Sequence, residues 1–178
     1  GTDITVLHVG DSRAYLWRDG TIRQVTDDHS MVAEMVRQGQ ITAAEAERHP
    51  ARNVITRALG AEPNVIVDEV PLAAQPGDIL LICSDGLSSL VHDRDIESII
   101  AVGLTLTAAA RELVQSALRA GGTDNIPVIL ARVVDADDAT ETVEVASETD
   151  DTTRLPATPP EETTSTARTP VVLEPTSS

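Results

Sequence analysis

The sequence predicts an α+β domain with largely antiparallel sheets, and three features of its 178 residues do so. Strand-like runs early in the chain come in pairs joined by tight turns. Ile79-Leu80-Leu81-Ile82-Cys83 is a short, continuous apolar run between turn signals, the pattern of a buried strand. Helical periodicity is concentrated later and does not follow each strand, as a doubly wound parallel sheet would require.

The elements follow in order. Ile4 to Val9 alternates as a strand and runs into a Gly10-Asp11 corner. Ala14 to Arg18 and Thr21 to Val25 flank Asp19-Gly20, and Asp-Gly between alternating runs predicts a hairpin because both central residues need positive φ. Tyr15 and Trp17 share one face by the two-residue period. Thr26-Asp27-Asp28-His29-Ser30 offers caps for a short helix from Met31 to near Gly39. Thr42-Ala43-Ala44-Glu45 has capping-box spacing and opens another, stopped by Pro50. Lying between strands, the two form a lid or a plain surface connection. Asn53 to Arg57 and Val65 to Val70 read as strands, and Pro76-Gly77-Asp78 as the turn into Ile79–Cys83. Asp93 is placed to cap a helix through Ile100. Thr107 is placed to cap a longer one with Ala110, Leu113, Val114, Ala117 and Leu118 as its apolar stripe and Gly121 as its stop. The last strand spans Ile126 to Val134.

Composition divides the chain into a domain at 1–134 and an acidic, Thr/Pro-rich tail at 135–178. The tail holds 11 of the 29 acidic residues and only Arg154 and Arg168 of the 13 basic ones, so most of the net charge of −16 lies there. It cannot bury enough apolar surface to offset its ordering entropy, and disorder is the expectation. Thr158-Pro159 and Thr169-Pro170 are candidate kinase sites within an acidic linker. The acidic domain argues against nucleic-acid binding. All 13 basic residues are Arg. The single cysteine, Cys83, cannot form an internal disulfide and fits a reducing, cytoplasmic compartment; mid-strand, it reads as a buried structural thiol. No run approaches the roughly 18 apolar residues of a membrane span. A strand starting at residue 4 with nothing before it to pair with implies sequence upstream.

Three acidic corners carry the functional argument: Gly10-Asp11-Ser12-Arg13, Ser84-Asp85-Gly86, and Gly121-Gly122-Thr123-Asp124-Asn125. An aspartate beside glycine at a strand end can be aimed from a rigid scaffold, and hard divalent cations take such oxygen ligands. Converging to about 5 Å, each pair would repel by roughly 3 kcal/mol at an effective dielectric near 20, which a cation relieves. Singly, each is also ordinary turn chemistry, as at Asp19-Gly20, so the corners by themselves do not identify a metal site.

Five segments occur together and in order: Val9-Gly10-Asp11-Ser12-Arg13-Ala14-Tyr15, Thr26-Asp27-Asp28-His29-Ser30, Arg57-Ala58-Leu59-Gly60, Gly77 to Leu87, and Gly121 to Asn125. Over Thr2 to Val134 they resemble the second half of the bacterial metal-dependent serine/threonine protein phosphatases of the PPM, or type 2C, family. The resemblance implies a sandwich of two antiparallel β-sheets flanked by helices. It implies a Mn²⁺ or Mg²⁺ centre of two, with a possible third, ions that hydrolyses phosphoserine and phosphothreonine with metal-activated water. Carried over, Asp85 and Asp124 are ligands of the core metal pair, and Asp11 with Asp85 ligates the additional, weaker site; Asn125 is structural. Met31 to His49 falls in the family's variable flap. The implied partners are phosphoproteins and the serine/threonine kinase that makes them.

Two departures matter. The Arg-x-x-Asn-Glu-Asp and Asp-Gly-x-Gly-Gly segments of the family's first half do not occur here, so no general acid is assigned and the chain is expected to be inactive alone. His29 reads as a cap or loop residue, and His8, His49 and His92 as surface or packing residues. Pro127 stands where a ladder donor is usual, predicting an edge or a bulge. The competing reading is a non-catalytic regulatory or binding module with a phosphatase-like fold.

Overall fold

A computed structural model describes residues 2–61, 64–122 and 125–135, together with the backbone of Val145 and Ala146. Twelve elements follow in order: β1 (Thr2–His8), β2 (Arg13–Arg18), β3 (Thr21–Gln24), α1 (Met31–Arg37), α2 (Ala43–Ala46), β4 (Asp68–Ala74), β5 (Ile79–Cys83), α3 (Asp85–Ser88), α4 (Asp93–Ala101), α5 (Leu106–Arg119), β6 (Val128–Arg132) and β7 (Val145–Ala146).

The strands form two antiparallel sheets, β1-β4 and β3-β2-β5-β6-β7, and the class is α+β as the sequence predicts. The hairpin between β2 and β3 turns on Asp19 and Gly20, both at positive φ (51° and 83°), the signature that Asp-Gly requires. One face of the larger sheet carries Tyr15, Ile79, Leu81, Cys83, Val128 and Leu130. Against it pack Ile96 and Ile100 of α4 and Ala109, Ala110, Leu113, Val114 and Ala117 of α5. The core is therefore the meeting of a period-2 face with two helical stripes. Arg18 joins the sheets at one end, donating from Nη2 to the Ala73 carbonyl of β4 (2.9 Å) and forking onto buried Asp78 at the head of β5 (2.7 and 2.6 Å).

The caps show where local chemistry sets an element. Ser30 Oγ accepts the Ala33 N–H at the start of α1, and Thr42 and Glu45 form the expected capping box on α2. Helix α5 closes with Gly121 N–H bonded to the Leu118 carbonyl and Gly122 N–H to that of Ala117, the Schellman pattern, with Gly121 at φ +99°.

Several boundaries differ from the sequence-based expectation. Asn53 to Arg57 contributes a single bridge, Ser30 to Ile55, rather than a strand. The strand expected at Val65–Val70 is β4, which begins at Asp68 and continues to Ala74 because its limits are those of its partner, from His8↔Asp68 to Thr2↔Ala74. The cap of α5 is Thr105, two residues before Thr107, and its extended backbone lets the hydroxyl accept the Ala108 N–H. Asp93 is the first residue within α4, with His92 at the cap position. Pro127 precedes β6, so its missing donor falls outside the ladder; β6 itself lies between β5 and β7 and is no edge there.

The tail expectation falls outside the described residues apart from Asp135 and the β7 pair, which bonds to Val128 and Ile129 of β6. Among the described residues no helix is long and apolar enough to cross a membrane.

Candidate metal centre

The register of the central sheet decides where the acidic corners meet. Strands β2 and β5 pair from Trp17↔Ile79 to Arg13↔Cys83. Carrying that register two places further sets Asp11 opposite Asp85. Both leave the sheet there: the chain before Arg13 turns at Gly10, and the chain after Cys83 turns at Ser84 into α3, whose first residue is Asp85. The Asp85 corner is therefore the start of a single helical turn.

Electrostatics agree with the register. Burial, and then the negative charge of Asp85, push the Asp11 carboxyl above the usual carboxylate range. The β5–β6 register, which ends at Cys83↔Val128, brings the backbone of Asn125 and Pro127 beside the Asp85 corner. The Ser84 N–H points to the Pro127 carbonyl (3.4 Å), and a Cβ added to Gly86 would lie 3.4 Å from the Asn125 carbonyl oxygen. Asp124 itself lies outside the described residues. Among the described residues, Ser84 Oγ, next to Asp85 in the chain, is buried without a hydrogen-bond partner. Asp11 and Asp85 offer carboxylate oxygens at one end of the sheet, donors of the kind that suit a hard divalent cation better than a soft metal.

The neighbouring cation is committed elsewhere. Arg13 forks onto Asp28 (Nε to Oδ1 3.0 Å, Nη2 to Oδ2 2.8 Å) and donates from Nη1 to Tyr15 Oη (3.2 Å). Gln24 adds a bond to Asp28 Oδ1 (3.1 Å). That fork secures the start of β2, and the charge of Arg13 offsets only a small part of what raises Asp11.

Beneath the Asp11 corner lies a buried polar group. His29, expected as a cap or loop residue, is only 4% exposed, and His8 is 6% exposed. Gly10 N–H donates to His29 Nδ1 (3.0 Å), and the His29 backbone N–H donates to the Gly10 carbonyl (2.8 Å). With Nδ1 accepting, the neutral ring keeps its proton on Nε2, which donates to Asp68 Oδ2 (3.0 Å). Arg57 Nη1 holds the other oxygen of Asp68. The His8 ring lies against that of His29 with centroids 4.6 Å apart, and His8 Nε2 donates to the Ser12 carbonyl (2.9 Å). Burial, and then the proximity of His29, lower the pKa of His8.

Two of the resembling segments, Thr26–Ser30 and Arg57–Gly60, thus supply the underside of the first. Asp68 carried no local signal, since its role exists only once β4 lies beside β1. His49 accepts the Ala51 N–H (3.1 Å) in the connection after α2, away from the acidic corners.

No family model matches the chain. It is similar to the serine/threonine phosphatase stp of Listeria welshimeri, 41% identical over 129 residues, which cover 72% of this chain and 51% of that protein. It is also similar to the serine/threonine protein phosphatase PstP of Mycobacterium tuberculosis, 42% identical over 140 residues, 77% of this chain and 26% of that one. The chain thus spans about half the length of the Listeria relative, and less of PstP. Among solved structures, the M. tuberculosis phosphatase PstP/Ppp superimposes with a TM-score of 0.72 at 39% identity, over 76% of this chain and 57% of that one. The catalytic domain of PstP in complex with two manganese ions does so with a TM-score of 0.65 at 40% identity, over 76% and 55%. Sequence identity and structural superposition agree: this chain belongs to the PPM family of serine/threonine phosphatases.

Proposed function

We propose that this chain provides part of the metal centre of a protein serine/threonine phosphatase, with Asp11, Asp85 and Asp124 as ligands of Mn²⁺ or Mg²⁺. The observation that carries this is the approach of Asp11 to Asp85 at the common end of β2 and β5, where burial and then the charge of Asp85 raise the Asp11 carboxyl. Bound cations supply positive charge to the phosphoryl group of a phosphoserine or phosphothreonine side chain and acidify a water for attack. The chain's own contribution is positional: strand ends hold Asp11 and Asp85, and the base of the flap, stapled by the Ser30–Ile55 bridge, is tied to the Asp11 corner by the bond from His29 N–H to the Gly10 carbonyl.

The substrates in this reading are phosphoproteins, and the natural partner is the serine/threonine kinase that makes them. A cytoplasmic location is supported by the single, buried Cys83. The Asp-Gly-x-Gly-Gly and Arg-x-x-Asn-Glu-Asp segments do not occur in the sequence, so this chain alone turns over a phosphothreonine peptide slowly or not at all.

The test is Mn²⁺ titration of the chain, followed by electron paramagnetic resonance, against Asp85→Asn. A loss of about tenfold or more in affinity, equivalent to about 1.4 kcal/mol, is expected. Equal affinity in the two proteins removes Asp85 as a ligand. Brisk Mn²⁺-dependent turnover by the unaltered chain would overturn its expected inactivity.

A further inference from the structure

His8 and His29 are buried titratable groups for which the proposed chemistry has no use. With Asp68 they place ligand-type atoms within 4.8 Å of one another, so a transition-metal site is the first reading to consider. The hydrogen bonds oppose it. A neutral imidazole that ligates through Nε2 carries its proton on Nδ1 and donates it to an acceptor. Nδ1 of His29 instead accepts a hydrogen bond from Gly10 N–H, so the ring's own proton sits on Nε2, aimed at Asp68. The Arg57 guanidinium lies 3.0 Å from that nitrogen and would repel a cation.

We propose that His29, with His8 beside it, is the positioning residue of the Asp11 carboxylate; the proposal rests on Asp11 being a metal ligand. Asp11 is bracketed by bonds to these rings and to the backbone of His29. On one side the N–H of Gly10 is held by His29 Nδ1 and its carbonyl by the His29 N–H; on the other the Ser12 carbonyl is held by His8 Nε2. Gly10 stands at φ +112° with no side chain of its own to be gripped, so hydrogen bonds alone fix its peptide planes. Those planes set the direction in which the next residue projects its carboxylate. His29 is in turn fixed by Asp68, and Asp68 by Arg57. The polarity of each bond is specific: His29 must offer an acceptor to Gly10, and His8 a donor to Ser12.

That polarity provides the test, because two amides split the functions of an imidazole. In His29→Asn the side-chain oxygen stands near the position of Nδ1 and keeps the acceptor for Gly10. In His29→Gln the amide nitrogen stands near Nε2 and keeps the donor to Asp68, but the acceptor is lost. Glutamine fills more of the site, so a role in packing alone favours it, whereas positioning favours asparagine.

Mn²⁺ titration of the full chain by paramagnetic resonance is run on the parent, Asp11→Asn and both His29 variants, with hydrogen exchange of the Gly10 amide as second readout. Positioning predicts that Asp11→Asn and His29→Gln each weaken the Asp11 site roughly tenfold, that His29→Asn stays within about twofold, and that Gly10 exchange accelerates only in His29→Gln. If Asp11→Asn leaves Mn²⁺ binding unchanged, the ligand assignment fails and takes the proposal with it. If Asp11→Asn weakens binding while His29→Gln equals or exceeds His29→Asn, the positioning role alone is overturned. Should the His29 variants not fold, the same comparison at His8 decides. There His8→Gln keeps the donor to Ser12 and His8→Asn does not, and equal Mn²⁺ affinities would refute the clamp.

Discussion

Replacing Gly10 with alanine isolates the backbone geometry of the Asp11 corner from every other effect. A Cβ at this position meets nothing within 4 Å, so no steric clash enters. What remains is the positive φ of +112°, a conformation that costs a non-glycine residue of order 1–3 kcal/mol. Part of this is offset, by roughly 0.4–1 kcal/mol, because alanine restricts the unfolded chain more than glycine does. The expected net loss is about 1–2 kcal/mol, a fall of ~1 M in the urea midpoint for a domain of this size. Gly20 is the matched control, with φ +83° and equally open space around its Cβ, but in the hairpin away from the acidic corners. Both variants are therefore destabilised to a similar degree. Only Gly10→Ala weakens Mn²⁺ binding, because relaxing its φ breaks the bonds to His29. Urea denaturation and Mn²⁺ titration of the two proteins check this. Equal Mn²⁺ affinities in the two variants, or an unchanged midpoint for Gly10→Ala, would refute the argument.

Two further outcomes follow from the core and from the junction of the sheets. Burial pushes the Cys83 thiol up to about 12, and the residue is 2% exposed, so iodoacetamide at neutral pH modifies the denatured chain but not the folded one; labelling of the native protein at the rate of a free thiol would contradict its place in the sheet. Asp78 is held below the usual aspartate value of 3.8, chiefly by its hydrogen bonds from Arg18, and is buried. A depressed carboxyl contributes its full stabilisation above the unfolded value and loses it as pH falls through the folded one. Asp78→Asn is thus expected to lower the urea midpoint at pH 7 and to narrow its difference from the parent as pH falls below 3.8. A gap that stays constant from pH 7 to acid would remove the charge from the explanation.

The legible parts of this fold were those with a local cause. Asp19-Gly20, Thr42 with Glu45, and Gly121 after an apolar stripe each announce an element through two to four adjacent residues, and each element is where they place it. The misplaced boundaries have the opposite origin. Val65 to Val67 has the composition of a strand, yet Ile66 is 74% exposed and pairing starts at Asp68, because the limits of β4 are the limits of β1 sixty residues away. Thr105 and Thr107 are chemically equal as caps, and only the approach of the chain to α5 selects the first.

The same division runs through the site. By itself the sequence determined that aspartates stand at glycine-flanked corners and, through its resembling segments, to which family they belong. Turn chemistry and residue identity need no partner to act. Only the tertiary structure decided that Asp11 and Asp85 leave the same end of the sheet, since this depends on Arg13 pairing with Cys83, a register set by which faces of two distant strands are buried together. It also decided that His29, in the loop between β3 and α1 as expected, is buried under the Gly10 corner. A neutral imidazole has no intrinsic preference for burial, and it is held there by a backbone N–H, a carboxylate and a second ring that meet only when β1 and β4 pair.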